Sequence, residues 1–505
     1  MTLSKSDYML FLRHPAWLWL KKYAKNKLPP IDATLQAKFD EGHVFEKYAE
    51  QLFSSVIRLG FNNYDEYLSL PSRTDKALRN GGKTFFQGRI EVDGITCIFD
   101  VLERVSQKEF DLFEIKATTK AKPEHDYDLA FQLKVLEASG LIIRSVFVIH
   151  ANKEYVRHGA IDPIGITSKT DVTKEVRALS EQTTEQIHAA FSVLEQKTIP
   201  SISPRYINQL GIPGVHWFEE WLAIYKSLKP ELDPYSIYSL SYPTPVQIGI
   251  FEDRGITLLK DVPEELALRP KQVAQIKTTK ENKRMIDKEN IEAFINHFEY
   301  PLYFFDYETC SAIIPQFDGC SPYQDYPFQY SLHVQESPGS EVRHNEYLHN
   351  EQTNPMPGLL RQLRNDIGHK GTILTWNMSY EKGCNDRMAK LFPEYVTFLG
   401  SVNERINDLM IPFSLMWFFD KDFFGSASVK KVLPVLAPEL SYTEMNIGEG
   451  LLARRLWTQT VLEGKNQDSR EIIMSDLSKY CTLDTFAMVR ILEELEKLFA
   501  KRSLV

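Results

Sequence analysis

Asp306 and Glu308 stand two residues apart at the end of the aromatic and aliphatic run YPLYFFDYETCSA, residues 300–312. Carboxylates are rarely buried without partners, because the charged form loses its hydration. On a strand, residues two apart share a face, and the carboxyl end of a strand is the usual place for a site in an open α/β sheet. Two further acidic positions lie downstream. Glu381 falls in the first turn of the helix expected after the buried strand ending at Asn377, and Asp484 lies four residues after Tyr480 in SDLSKYCTLDTFAMVRILEEL, hence on the same helix face. Four carboxylates in this order can hold two divalent cations about 4 Å apart, one activating water and the other stabilising a departing oxygen. Tyr480 would position that water, and the cations would offset the mutual repulsion of the carboxylates.

A second constellation lies earlier, in CIFDVLERVSQKEFDLFEIKATT. Asp100 ends one strand, and Glu114 and Lys116 share a face of the next. Asp100 and Glu114 suit a hard cation such as Mg²⁺, which takes oxygen ligands, and Lys116 would orient water or neutralise charge on a phosphate. Metal-dependent phosphodiester cleavage is the chemistry that fits. An exposed strand face carrying ordinary surface charges is the alternative reading of those three residues.

The elements that must position these residues can be read from periodicity. Residues 1 to about 60 read as helices: Ser4 and Asp7 make a capping pattern in LSKSDYMLFLRHP, and FDEGHVFEKYAEQLFSSVIRLG has helical spacing. Residues 83–118 alternate as strands around the hairpin signal VDGI. HDYDLAFQLKVLEASG returns to a helix that stops at Gly140, before the strand LIIRSVFVIH. This makes a first α/β domain with a mixed sheet, residues 1–155. Residues 156–297 read as a helical connector, with 250–276 as a candidate helix-hairpin-helix. Strands resume at PLYFFDYET, PFQYSLHVQ and GTILTWNMS, and helices dominate from 403, giving a second α/β domain over 298–505.

The two constellations also carry family resemblances. The order of His43 on a helix, Asp100 on a hairpin, Glu114-x-Lys116 on a strand and Gln132 on the next helix resembles the RecB-like and Cas4-like branch of the PD-(D/E)XK nucleases. That resemblance implies a restriction-endonuclease-like fold with His43, Asp100 and Glu114 as metal ligands, Lys116 as the catalytic lysine and Gln132 as a nucleic-acid or active-site support. Relatives that carry an iron–sulfur cluster have a Cys before the Pro where this chain has His14, and no Cys occurs between 98 and 309, so no cluster is expected. The second set resembles the DEDD 3′→5′ exonucleases of the ribonuclease H-like fold, in the branch with Tyr-x-x-x-Asp as its last motif. By that likeness Asp306, Glu308, Glu381 and Asp484 are metal ligands, Glu308 is also catalytic and Tyr480 positions water. Glu381 stands where the pattern usually has Asp, and its longer arm can move a metal. Asp408, in RINDLMIPF, is a further acidic candidate or a helix cap. Residues 298–500 also look like largely uncharacterised bacterial domains that follow RecB-like modules, through FFDYET, PYQDYPFQYSLH and NMSYEK.

Composition sets the remaining expectations. The chain has 505 residues, 43% hydrophobic and 25% charged, with net charge −9. It is globular by these numbers, and any attraction for nucleic acid must come from local basic patches and bound cations. Lys120 and Lys122, Lys430 and Lys431, Arg454 and Arg455, and Asn377 are candidate nucleic-acid contacts; the aromatic residues around 323–330 could stack on bases or pack in the core. The five cysteines are dispersed, no apolar run approaches a membrane span, and the N-terminus lacks a cleavage site, which together point to the cytoplasm. No ATPase P-loop occurs, so unwinding would need another protein. The expectation is a nuclease with two modules using Mg²⁺ or Mn²⁺, acting on DNA rather than RNA by the RecB-like resemblance, in repair, recombination or defence against foreign DNA. A chain with one active module, or a non-catalytic adaptor, are the alternatives.

Overall fold

The computed structural model describes residues 2–30, 33–209, 212, 217–442 and 445–499, of which the side chains of 33–35, 37 and 38 are left aside. The chain is mixed α/β and divides into two compact units. One comprises the residues up to Leu232 with Thr244–Val246 and Ala312–Tyr323; the other comprises Asp233–Pro243, Gln247–Ser311 and the residues from Gln324 onward. Among the described residues, no helix is long and apolar enough to cross a membrane.

The first unit is built on a seven-stranded mixed sheet. Its strands are β1 (Leu3–Ser4), β2 (Val56–Arg58), β3 (Thr84–Val92), β4 (Ile95–Arg104), β5 (Glu109–Ile115), β6 (Ile142–Ala151) and β7 (Thr167–Asp171). β2 to β7 lie in sequence order, with β3–β4, β4–β5 and β6–β7 antiparallel and β2–β3 and β5–β6 parallel. The β3–β4 turn is the expected two-residue hairpin: Asp93 and Gly94 take φ of 48° and 78°, as a type I′ turn demands. β5 and β6 are joined by the Pro123–Ala138 helix, the crossover that a parallel pair requires. β1 pairs in parallel with β4 at Ile95 and Thr96, whereas β5 pairs with β4 only from Val101 onward. β1 thus occupies the edge of β4 that β5 leaves open. Phe99, Leu112, Phe131, Leu133 and Val146 are among the side chains that fill the core.

Local capping explains how the first helix starts. Ser4 accepts from the Asp7 backbone while the Asp7 carboxylate accepts from the Ser4 backbone, a reciprocal cap worth about 1 kcal/mol. His14 ends that helix and begins the next: its Nδ1 accepts the Ala16 N–H at 3.1 Å and its ring stacks on Trp221 at 3.9 Å. The helical period read across FDEGHVFEKYAEQLFSSVIRLG stops at Ala49, and Val56–Arg58 pairs as an edge strand instead. The stretch 156–297 is likewise not helical throughout: β7 extends the first sheet, and the boundary between the units falls at 232/233. Within 250–276, two one-turn 3₁₀ segments separate the Pro245–Asp253 and Pro270–Glu281 helices.

The second unit contains a five-stranded sheet in the order β11-β10-β9-β12-β13, formed by β9 (Leu302–Cys310), β10 (Tyr326–Gln335), β11 (Val342–Leu348), β12 (Thr372–Thr375) and β13 (Ile406–Asp408). A separate short pair joins β8 (Met285–Ile286) to β14 (Phe418–Phe419). β9, β10 and β11 are antiparallel neighbours, and β9, β12 and β13 run parallel. The Arg470–Glu496 helix covers one face, where Leu302, Phe304 and Leu374 pack with Met488, Val489 and Leu492. Side chains alternate along β9, so Asp306 and Glu308 continue the row of Leu302 and Phe304. The face that is apolar at the start of the strand becomes acidic at its end.

Candidate functional site

The carboxylates of the first unit meet two lysines. Glu114, 2% exposed, takes Lys116 Nζ at 2.7 Å and Lys5 Nζ at 3.0 Å on the same oxygen, Oε1. Asp128, on the Pro123–Ala138 helix, takes Lys116 on Oδ2 at 2.8 Å and Lys5 on Oδ1 at 3.5 Å. Gln132, one turn later, donates to Glu114 Oε2 at 2.7 Å and to Asp128 Oδ1 at 3.1 Å. Asp100 Oδ2 accepts the Ile115 backbone N–H at 2.8 Å. Burial, and then the Glu114 charge, push Asp100 up to about 7. Asp128 moves the other way: burial opposes its ionisation, but Lys116 and Lys5 hold it below the usual carboxylate range.

Four of the residues singled out by pattern, Asp100, Glu114, Lys116 and Gln132, therefore do come together. His43 does not join them by any hydrogen bond or ion pair among the described residues. It is exposed on the Ala33–Ala49 helix, one turn before Glu46. Glu46 is half-buried and raised by burial, with His43, Glu50, Glu114 and Lys116 also acting on it. Lys120 is exposed, and its carbonyl accepts the Thr118 hydroxyl. Lys5 and Asp128 were not among the pattern's candidates. Lys5 reaches the cluster only because β1 takes the open edge of β4, which local sequence does not reveal.

The second unit gathers a more acidic cluster. One oxygen each of Asp306 and Glu308 and the sulfur of Cys481 lie within 4.8 Å of one another. The shared row on β9 supplies the two carboxylates, and β12 pairs with β9 only through Phe304, which frees that edge beside Asp306 and Glu308. The Arg470–Glu496 helix supplies Tyr480, Cys481 and Asp484. Its position is fixed by polar contacts to β10: Gln329 Nε2 donates to the Leu477 carbonyl at 3.1 Å, and Ser331 and Thr485 share a hydrogen bond of 2.6 Å. Gln329 and Ser331 lie directly across from Glu308 and Asp306.

Glu381 enters from the first turn of the Met378–Leu391 helix. It is 1% exposed, and its Oε2 has no hydrogen-bond partner. Burial, then the charges of Asp306 and Asp408, hold it well above the ordinary carboxylate range. Asp306 and Glu308 are raised in the same direction by burial and neighbouring carboxylates, Asp484 chief among those acting on Asp306 and Asp306 among those acting on Glu308. Burial lifts Asp484 to about 6, against hydrogen bonding by Tyr442, whose hydroxyl donates to Oδ1 at 2.6 Å.

Two other sequence candidates acquire definite places. Lys430, on the Val429–Leu436 helix, donates to the Gly448 carbonyl at 2.7 Å and to the Tyr480 hydroxyl at 3.2 Å, with its ammonium 5.2 Å from the Tyr480 ring centre. It is a cation of the acidic cluster. Lys431 is exposed, 5.8 Å from the centre of the Phe424 ring. Asp408 is a cap: its carboxylate accepts backbone N–H groups from Asn377, Met378 and Met410 at 3.0–3.2 Å. Asn377, at φ 82°, accepts the Ser379 hydroxyl at the start of the same helix. Arg454 bonds Ser311, and Phe328, in the aromatic stretch, stacks on Trp457 at 4.4 Å within the core. Tyr442 and Cys481 were not pattern candidates; Cys481 had a signal, since it directly follows Tyr480.

The two clusters differ in what they still require. In the first, three carboxylates face two lysines, and both Glu114 oxygens have donors. In the second, Asp306, Glu308 and Asp484 face Lys430, and a buried oxygen of Glu381, which Asp306 also acts on, has no donor. Hard oxygen donors in excess over cations, with an orphaned buried oxygen, fit divalent metal ions of the magnesium or manganese class. Residues 303–428 match the protein family described as Domain of unknown function (DUF2779), a segment that contains Asp306, Glu308, Glu381 and Asp408 and stops before Lys430, Tyr480 and Asp484. No curated protein matches the chain.

Proposed function

We propose that the chain is a metal-dependent nuclease of two modules, with a PD-(D/E)XK-like unit followed by a DEDDy-like exonuclease unit. The observation that carries this reading is the second cluster: Asp306, Glu308 and Asp484 gathered at Tyr480, with Glu381, whose buried Oε2 has no partner, acted on by Asp306. The chemistry that bound Mg²⁺ or Mn²⁺ supplies at such a site is Lewis acidity, which polarises a phosphodiester and acidifies an attacking water.

The residues divide the remaining work. Asp306, Glu308, Glu381 and Asp484 hold the ions. The Tyr480 hydroxyl orients the water, and Lys430 holds that hydroxyl through its 3.2 Å hydrogen bond. Tyr442 fixes the orientation of Asp484. Gly450, at the start of the Gly450–Trp457 helix, borders the cluster, its Cβ position lying 3.7 Å from Glu308 Oε2 and 3.9 Å from the Tyr480 hydroxyl. In the first unit, Asp100 and Glu114 are the metal-holding pair, Lys116 neutralises phosphate charge, and Gln132 orients Glu114. DNA as substrate, and a role in repair, recombination or defence, rest on the RecB-like resemblance alone.

A second reading has its own support. Both oxygens of Glu114 already have donors, Lys116 and Lys5 on Oε1 and Gln132 on Oε2, so a cation there must share the carboxylate with two ammonium groups. On that reading the first unit binds nucleic acid and only the second cuts. The test is cleavage of end-labelled single- and double-stranded DNA and of RNA with Mg²⁺ or Mn²⁺, by wild type, Glu114→Ala, Asp306→Ala and the double variant. Distinct product patterns lost from each single variant support two active modules. A wild-type pattern from Glu114→Ala with a dead Asp306→Ala supports the second reading. No metal-dependent cleavage by wild type on any substrate overturns both.

A further inference from the structure

Cys481 lies where hard-ion chemistry has no need of a thiol. It is fully buried, its sulfur is within 4.8 Å of one oxygen each of Asp306 and Glu308, and it occupies the helical position between Tyr480 and the Asp484 turn. A buried cysteine usually serves as a small apolar side chain, and Cys97, Cys310, Cys320 and Cys384 are buried as well. Cys481 differs by its company: two carboxylates converge on it, and the buried Glu381 oxygen, on which Asp306 is the strongest acting charge, lacks a donor.

We propose that Asp306, Glu308 and Cys481 form a three-ligand site for a thiophilic divalent ion of the zinc, cobalt or cadmium class. The proposal rests on the reading that this cluster binds metal, and it adds which metals it retains. Two carboxylate oxygens and one sulfur are a donor set that zinc accepts in tetrahedral geometry, leaving a fourth position open. In that geometry, zinc–sulfur bonds of about 2.3 Å and zinc–oxygen bonds of about 2.0–2.2 Å set ligand atoms about 3.3–3.7 Å apart. Ligand atoms within 4.8 Å of one another reach that spacing by drawing together by at most about 1.5 Å, through rotation of the three side chains. Binding exchanges a proton for the metal: the Cys481 S–H bond breaks, a sulfur–metal bond forms, and the proton leaves to solvent, with no change of oxidation state. A site filled in this way uses the carboxylates that Mg²⁺ or Mn²⁺ would need, so zinc inhibits cleavage by competition.

The experiment is a Co²⁺ titration of the full chain under reducing conditions, reading the near-ultraviolet sulfur-to-cobalt charge-transfer band. Wild type, Cys481→Ser, Asp306→Asn and the control Cys310→Ser are compared, and the same proteins are assayed for Mg²⁺-dependent cleavage with and without zinc. The expected result is a saturable band in wild type and Cys310→Ser that Cys481→Ser abolishes and Asp306→Asn weakens, with cleavage by Cys481→Ser no longer sensitive to zinc. Absence of the band from wild type, or its persistence in Cys481→Ser, overturns the proposal. If Cys481→Ser fails to fold, Cys481→Ala takes its place, a band that it retains overturns the proposal, and absence of the band from wild type does so without any variant. The two readings fail separately: wild type that cleaves with Mg²⁺ but shows no band loses only the thiol site, whereas a band without metal-dependent cleavage on any substrate loses the nuclease reading and leaves the thiol site standing.

Discussion

Replacing Glu308 by Gln removes one charge from the acidic cluster while keeping the shape of the side chain. Two unit charges 4.8 Å apart, the outer limit of the Asp306–Glu308 separation, repel by about 3 kcal/mol at an effective dielectric near 20. Proton uptake relieves part of this, as the raised pKa of both groups indicates, leaving about 1–3 kcal/mol near neutral pH. The second unit of the metal-free variant is therefore expected to be more stable than wild type, melting roughly 2–10 °C higher. Metal reverses the order. Mn²⁺ at a hundredfold excess over its dissociation constant stabilises a binding protein by about 2.7 kcal/mol, and Glu308→Gln loses most of that increment. Differential scanning calorimetry in chelator and again in Mn²⁺ reads both effects. A variant that melts lower than wild type in chelator, or gains as much from Mn²⁺, refutes the reasoning, because Glu308 would then be a structural hydrogen-bonding residue.

The same cluster sets a pH dependence. Asp306, Glu308, Glu381 and Asp484 all have folded-state pKa values above the unfolded carboxylate range, so the stability they contribute is complete below about pH 4 and falls as pH rises through about 6, the Asp484 value, and beyond. Buried His14 and His333, pushed down to about 4 chiefly by burial, act in the opposite direction, so the comparison must be a difference. In chelator, the melting advantage of Glu308→Gln over wild type should widen between about pH 5 and pH 8; a constant or narrowing gap contradicts the assignment. Lys5→Met leaves Glu114 and Asp128 with one lysine, and should cost the first unit about 1–3 kcal/mol while increasing its affinity for Mn²⁺, read by denaturation and calorimetric titration; unchanged stability and unchanged affinity would show that Lys5 does not balance these carboxylates. Gly371 has φ 92°, and an added Cβ would fall 2.1 Å from the Pro301 carbonyl oxygen beside the start of β9, so Gly371→Ala should cost at least about 2 kcal/mol in urea unfolding. A cost below about 0.5 kcal/mol would mean that the loop shifts freely.

What sequence revealed and what it hid divide by range of interaction. The capping box at Ser4 and Asp7, the Asp93–Gly94 turn, the strand face shared by Asp306 and Glu308 and the helix face shared by Tyr480 and Asp484 are local patterns, and each is present as its spacing implies. β2 and β7 were hidden because edge strands of three and five residues give little periodic signal, and β11 because its residues are exposed or half-buried. Lys5 and Asp128 were hidden for a different reason. Their roles depend on β1 docking at a distant edge and on the facing of a crossover helix, neither of which leaves a mark in the local string. Lys430 was visible as a basic residue, but its hydrogen bond to Tyr480, 50 positions away, is tertiary. Asp408 illustrates the reverse: an acidic residue beside an acidic site whose oxygens are taken up by three backbone N–H groups.

The claim on which the account depends most is that the carboxylates of the second unit hold divalent cations. Mn²⁺ bound to the full chain, counted by electron paramagnetic resonance of the free ion, tests it most directly when wild type is compared with Asp306→Asn and Glu381→Gln. The expected result is saturable binding by wild type from which Asp306→Asn removes the sites of the second unit, leaving any bound by the first, and which Glu381→Gln weakens. Binding that is absent from wild type, or unchanged in both variants, contradicts the claim.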